Sequence, residues 1–254
     1  MGLLGERDLS RSDVWSCGGG TQSAAIAALI VRGDLPRPTH SVIVDTGREK
    51  SSTWAYYEST LRPRLSAVGV DLVRLPKDRF ATVDLYSHKG ELLLPTFTTT
   101  GKLQTFCSAE WKRDVITRWA RSVGVEKANN WIGISADELR RVRQGRRQWF
   151  SPWYPLVEMG LRRVDCVRLV ESMGWPTPPR SSCWCCSNMG PREWQELKDH
   201  APDDWARAVN LERELRARDP GVYLHGQRVP LPEVLEQTSM TGLDNGCTSG
   251  LCFV

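Results

Sequence analysis

Asp13-Val14-Trp15-Ser16-Cys17-Gly18-Gly19-Gly20-Thr21-Gln22-Ser23, running on through the Ala-, Ile- and Leu-rich stretch 24–31, decides the architecture. Residues 13–16 read as a short buried strand, 17–22 as a tight turn and 23–31 as an apolar helix. Strand, glycine loop and helix in succession open a parallel α/β sheet. The segments that follow repeat the alternation. Residues 41–44 form a β-branched strand closed by Asp45-Thr46-Gly47, and 52–68 a helix in which Pro63 is tolerated only as a kink or break. Residues 70–75 give a third strand, 114–123 a helix, 130–134 a buried strand and 164–173 a further helix. The stretch 80–104 mixes its signals and reads as loop with short elements. The expectation is an α/β, Rossmann-like parallel sheet over residues 1–175, with helices on both faces and right-handed crossovers. A proline cluster (Pro176, Pro178, Pro179) then leads into a smaller, Cys-bearing helical C-terminal region, 176–254.

At 254 residues with 40% hydrophobic and 25% charged, the chain can bury a sizeable core, which excludes disorder and collagen-like repeats. No apolar run approaches the ~18 residues of a membrane span. The first eight residues lack the pattern of a secretory signal, so a cytoplasmic protein is expected. Thirty-four Lys and Arg against 30 Asp and Glu, a net charge of +4, permit a polyanionic partner without demanding one. Eight cysteines, unevenly spaced, suggest metal or sulfur chemistry rather than a disulfide framework.

Glycines in a strand-to-helix turn let the backbone bring its N–H groups against an anion, and the helix dipole favours negative charge there. Neither GxxxxGK[ST] nor a dinucleotide fingerprint fits, because Ser23 stands where the third glycine would be. On the residues alone, a tight turn without a ligand stays open. So do plain capping roles for Asp45 and Asp137.

In order along the chain, Ser16-Cys17-Gly18-Gly19-Gly20-Thr21-Gln22-Ser23 resembles the SGGxxS-type pyrophosphate loop of the adenine-nucleotide α-hydrolase (HUP) superfamily, in its phosphoadenosine-phosphosulfate (PAPS) reductase-like, ATP pyrophosphatase branch. Asp45-Thr46-Gly47-Arg48-Glu49 is similar to that branch's DTGxE turn, Cys107-Ser108-Ala109-Glu110-Trp111-Lys112 to its Cys-x-x-x-aromatic-Lys segment, and Gly133-Ile134-Ser135-Ala136-Asp137-Glu138 to its GIxxDE strand end. Cys183-Trp184-Cys185-Cys186, Trp194 and the Cys-rich terminus extend the likeness. The loop departs from the commoner SGGKDS form, with Gln22 in place of the acidic residue and no lysine before it.

The resemblance implies ATP held by Ser16, Gly18, Gly19, Gly20, Thr21, Gln22 and Ser23, by Asp45, Thr46 and Gly47, and by Gly133. Ser23, Asp45 and Asp137 are the candidate catalytic residues, the two carboxylates as oxygen ligands of Mg²⁺. A substrate oxygen would attack the α-phosphate, giving an adenylated intermediate and pyrophosphate, with loop amides stabilising the developing charge. Cys183 and Cys186 give a C-x-x-C spacing that brings two sulfurs to one metal or cluster. Cys107 and Cys252 complete the candidate ligand set, Cys247 being an alternative fourth. The resemblance favours a [4Fe-4S] cluster; structural zinc and metal-free thiols stay open. Cys17 and Cys166 read as small buried hydrophobes.

Arg140, Arg141, Arg143, Arg146 and Arg147 put five guanidinium groups into eight positions. Arg141 is the candidate phosphate ligand, a solvated loop being the alternative. Trp149, Trp153 and Tyr154 are candidates to stack on bases, while most tryptophans, Trp194 and Trp205 included, read as packing residues. The function expected is ATP-dependent, adenylating sulfur transfer to a nucleic acid, DNA ahead of tRNA, as in DNA phosphorothioation. A sulfur donor such as a cysteine desulfurase and further modification-complex subunits are the expected partners. A PAPS or adenylyl-sulfate reductase and a non-catalytic nucleotide-binding subunit are the alternatives.

Overall fold

A computed structural model describes residues 7–105, 107–145 and 147–234. Cys247 and Cys252 lie outside them. The described chain divides into two compact units, one comprising residues up to Gly47, Ser52–Phe80 and Lys112–Ser181, the other Arg48–Ser51, Ala81–Trp111 and the described residues from Ser182.

The first unit opens with β1 (Ser12–Cys17), α1 (Thr21–Arg32) and β2 (His40–Asp45), each slightly longer than its apolar pattern announces. The predicted helix 52–68 is one run in three parts: α2 (Ser51–Tyr56), a π-helical turn (Tyr57–Leu61) and α3 (Arg62–Ser66). The Arg62 N–H reaches back five residues to Tyr57 O, and this widened turn accommodates Pro63 in the first turn of α3 without ending the helix. β3 (Leu72–Pro76) follows. The second unit carries a two-stranded hairpin, β4 (Phe97–Thr98) and β5 (Gly101–Lys102), inside the stretch whose sequence signals are mixed.

The chain continues with α4 (Asp114–Ser122), β6 (Ala128–Ile132), β7 (Phe150–Trp153), α5 (Pro155–Glu158) and α6 (Arg163–Ser172). β6 begins two residues before the predicted strand because its weak strand formers are held individually. The Asn129 amide donates to Asp8 O and Asp13 Oδ1, and Asn130 Oδ1 accepts from Ser16 Oγ. β7 has no counterpart in the sequence reading. Its Pro152 lacks a ladder donor, which a strand paired on one side only tolerates.

The five strands are all parallel in the order β3-β2-β1-β6-β7. Such a sheet is buried on both faces, which is why its strands read as apolar runs. Trp15, Cys17, Ile43, Trp131 and Trp153 join one core with Ala24–Ile30 of α1, Leu65 of α3 and Cys166 and Val170 of α6. Val14, Val42 and Val44, one residue out of phase, are buried as well, and therefore face the other way. On that side Trp119 of α4 meets the His40 ring edge-on at 5.5 Å. The α/β parallel sheet is as the sequence leads one to expect.

The second unit adds α7 (Pro191–His200) and α8 (Pro202–Arg218) around a separate core of Trp111, Trp184, Trp194, Leu215 and Leu224. Trp194 is fully buried and Trp205 packs against that core, as read from sequence. Glu212 is buried there, accepting the Leu224 and Leu231 amides at 2.8 and 2.7 Å. Burial raises its pKa despite them. No helix among the described residues is long and apolar enough to cross a membrane.

Candidate functional site

The sheet order reverses between β1 and β6, and an open α/β sheet places its ligand crevice outside the carboxyl ends of strands at such a reversal. The glycine loop leaves β1 there, and Gly133–Glu138 leaves β6. A Cβ on Gly133 would lie 3.3 Å from Gln22 Cβ and 3.5 Å from Ser23 N, so the first turn of α1 packs directly on the end of β6.

The loop has no room for a side chain at Gly19 or Gly20. Gly19 has φ +74, and a Cβ there would come within 2.7 Å of Thr53 Cγ2; one on Gly20 would meet Ser181 Oγ at 2.7 Å and Ser181 N at 3.0 Å. Gly20 is the N-cap of α1, with no side-chain cap and no acidic residue in the first turn. The helix therefore presents amides and positive dipole charge at the switch point. Not every loop amide faces outward. Gly18 N donates to Ser23 Oγ at 2.8 Å, and Gly19 N turns to the Cys17 thiol. The amides of Gly20, Thr21 and Gln22 stand at the helix start. Burial pushes the Cys17 thiol up to about 11, in keeping with a packing cysteine. Cys166 is pushed up to about 12 in the same way.

Ser23 closes the loop from within, and the Ser16 hydroxyl donates across the sheet to Asn130 Oδ1 at 2.5 Å. Gln22 Nε2 donates to Glu138 Oε2 at 3.0 Å, and Glu138 in turn pairs with Arg141. Arg163 places its guanidinium 3.4 Å from both Gln22 Oε1 and Thr21 Oγ1. Thr21, Gln22, Glu138, Arg141 and Arg163 thus gather around the start of α1. Asp137 accepts the Arg163 amide at 3.1 Å, capping α6. Burial would raise the Asp137 pKa, but hydrogen bonds from Ser135, its own amide and Arg163 N outweigh it and hold the carboxyl below its ordinary value. Asp45 ends β2, accepting the Gly47 amide at 2.8 Å and Arg74 Nη2 at 2.6 Å; Gly47 has φ +73 and Thr46 is buried. Sequence reasoning missed Arg163 and Ser181. Neither lies in a motif, and only the fold brings them to the loop.

Trp153 and Tyr154 are 6% and 7% exposed and do not stack on bases. The Trp153 indole donates to Glu158 and the Tyr154 hydroxyl is bonded to the Arg143 backbone, so both rings are structural. The Trp149 face is covered by Arg121 at 3.5 Å.

The thiols stand in the second unit. Arg48–Lys50 runs beside Ser182–Trp184: Arg48 O accepts the Trp184 amide at 2.8 Å, Glu49 bridges Cys183, and Lys50 N donates to Ser182 O at 3.3 Å. Cys186 N then returns to Cys183 O at 3.1 Å, closing a tight turn. Cys107, Cys183 and Cys186 are half-buried and Cys185 is fully buried. Burial first, then the neighbouring sulfurs of Cys183, Cys186 and Cys107, push the Cys185 thiol far up, while Arg48 acts in the opposite sense. The Arg48 guanidinium is held by both Asp84 oxygens, at 2.7 and 2.9 Å, and lies 4.7 Å over the Trp111 ring. Arg48 is thus a fixed cation beside these soft donors. Among the described residues, no group of three His, Cys, Asp or Glu side chains is arranged to hold a metal ion.

No family model matches the chain, and no curated protein matches it. Among solved structures it is similar to the U34-tRNA thiolase NcsA from Methanococcus maripaludis with its [4Fe-4S] cluster. The identity is 11% and the TM-score 0.47, over 97% of this chain and 78% of that one. A likeness that distant leaves the chemistry to the residues.

Proposed function

We propose that the chain is an ATP pyrophosphatase of the adenine-nucleotide α-hydrolase type that adenylates an oxygen of a nucleic acid so that sulfur can replace it. DNA is preferred to tRNA as the substrate. The reading rests above all on the uncapped start of α1, with side-chain-free Gly19 and Gly20, at the reversal between β1 and β6. An anion fits that place because amides and dipole charge converge on it.

In this reading the substrate oxygen bonds to the α-phosphorus as the α–β anhydride bond breaks, and pyrophosphate leaves. The amides of Gly20, Thr21 and Gln22 stabilise charge growing on the phosphoryl oxygens, while Ser16, Gly18, Gly19 and Ser23 hold the loop in shape. Arg141 and Arg163 bind phosphate, Gly133 and the Asp45-Thr46-Gly47 turn border the nucleotide, and Asp45 and Asp137 are oxygen ligands for Mg²⁺. Residues 1–175 carry this half of the reaction, and 176–254, joined by Cys107, the sulfur half. Cys107, Cys183 and Cys186, completed by Cys252, would hold a [4Fe-4S] cluster, with zinc as the alternative. Held by the three cysteines alone, such a cluster would leave one iron position open for sulfide; Cys252 as a fourth ligand would close it. A cysteine desulfurase as sulfur donor and other modification-complex subunits complete the proposal.

The test is anaerobic reconstitution followed by iron, sulfide and zinc analysis, with pyrophosphate release from ATP measured in the presence of DNA or tRNA. Iron with nucleic-acid-stimulated pyrophosphate release is expected. A colourless, zinc-only protein would remove the cluster, and sulfite release from an adenylyl sulfate would replace the reading with a reductase.

A further inference from the structure

Residues 139–168 contain eight arginines, no lysine and two carboxylates, a net charge of +6 in a chain whose total is +4. The fold brings the 140–143 turn and the start of α6 to one place. The Arg140–Arg143 turn is tied to Tyr154, whose hydroxyl accepts from Arg143 N at 3.1 Å and donates to Arg143 O at 2.9 Å. The start of α6 is tied to the segment that leads into this turn, through Arg163 N on Asp137 and Ala136 N on Leu161 O at 2.7 Å. Arg140, Arg143, Arg162, Arg163 and Arg168 are all exposed.

Two features set this surface apart from an ordinary solvated face. Arg162 and Arg163 stand at the N-cap and first position of α6, where Asp165 and Asp137 accept the helix-start amides, so neither guanidinium is needed to cap the helix. In addition, Leu139, Met159 and Val164, from the same stretch 139–168, are 55%, 42% and 50% exposed, three of the six exposed large hydrophobics among the described residues.

We propose that this arginine surface binds the phosphodiester backbone of the nucleic acid, with Arg163 joining it to the glycine loop through Thr21 and Gln22. Arg163 and Arg168 are five residues apart on α6, about 7.5 Å of rise and about 140° around the helix, so a single phosphate does not serve both. Guanidinium groups pair bidentately with phosphate and stack on bases, which suits nucleic acid better than a lipid surface. The proposal names the partner of the sulfur transfer above and rests on that reading for the reaction; binding is measured without it.

The experiment uses the full chain without ATP, and anisotropy with a labelled DNA duplex, a labelled tRNA and, as a control, phosphatidylserine vesicles, over a salt series. Four substitutions, Arg140→Gln, Arg143→Gln, Arg162→Gln and Arg168→Gln, are expected to weaken binding roughly tenfold or more. They should also flatten the log–log salt slope by about 0.9 for each phosphate that the variant no longer neutralises. ATP binding, read by equilibrium dialysis, should not change. The two double variants, Arg140→Gln with Arg143→Gln and Arg162→Gln with Arg168→Gln, should each give part of the loss, which covers a failure of the fourfold variant to fold. The DNA duplex is expected to bind tighter than the tRNA, and the reverse order would overturn DNA as the source of the backbone. Unchanged affinity and slope, or equal binding to vesicles, overturns the proposal. Absence of ATP binding in the unsubstituted protein would instead defeat the proposed function and leave the surface standing.

Discussion

The glycine loop and the thiol turn solve opposite problems. The loop is built from main chain, and its specificity lies in what is missing: Gly19 and Gly20 have no Cβ because Thr53 and Ser181 occupy that space. The thiol turn is built from side chains, held in place by main-chain bonds from Arg48–Lys50 and by a cation fixed between Asp84 and Trp111. A main-chain site tolerates changes of side-chain chemistry and fails when atoms are added. A side-chain site tolerates neither loss of its sulfurs nor displacement of the backbone under them.

The strongest way to break that contrast is Gly20→Ala. The new methyl would meet Ser181 Oγ at 2.7 Å and Ser181 N at 3.0 Å, so pyrophosphate release is expected to fall roughly a hundredfold by displacement of amide donors. Adding Ser181→Gly should restore part of it. Gly33→Ala at the other end of α1, with φ +87 and nothing within 4 Å, should cost only about 1 kcal/mol of stability and leave turnover alone. Equal losses from the two would mean that the loop is merely a turn.

For the thiol turn, Cys183→Ser or Cys186→Ser should strip bound metal in elemental analysis, whereas Cys166→Ala, in the other unit's core, should retain it. Retention by all three would leave the turn a packing feature.

Buried thiols sharpen the contrast further. Cys17 and Cys166 are pushed up to about 11 and about 12, so the folded state keeps protons that the unfolded chain releases near pH 9. Their contribution is complete below that pH and is lost as pH rises through the folded values. The urea midpoint should fall from about pH 9 upward, and Cys166→Ala should flatten the decline.

The effect of Asp137 on stability is modest. Asp137→Ala frees the first amide of α6 and should cost about 0.5–2 kcal/mol in urea unfolding. Because its carboxyl is held below the ordinary value, its contribution is present above that pH and lost as pH falls. Asp137→Asn should slightly flatten the acid limb.

The strand-loop-helix opening was legible because each part is local: apolar residues for a doubly buried strand, glycines for a crowded turn, alanines for a packed helix. β2, β3, α4 and α6 were legible for the same reason. β7 was not, since four residues containing Pro152 have no periodicity of their own and become a strand only by pairing with β6. Nor was the membership of residues 81–111 in the second unit, where Leu94 and Trp111 share a core with Trp184 and Leu224. At the site, Gln22 and Glu138 were in view as motif positions, but their 3.0 Å bond was not.

By itself the sequence determined the parallel α/β class and the positions where glycine and cysteine concentrate, because burial periodicity and backbone sterics act over a few neighbours. Only the tertiary structure decided which loop amides remain at the helix start, that Arg163 and Ser181 attend the loop, and that Trp153 and Tyr154 are buried. These depend on residues far apart in the chain whose meeting is fixed by strand order, and strand order leaves no local mark.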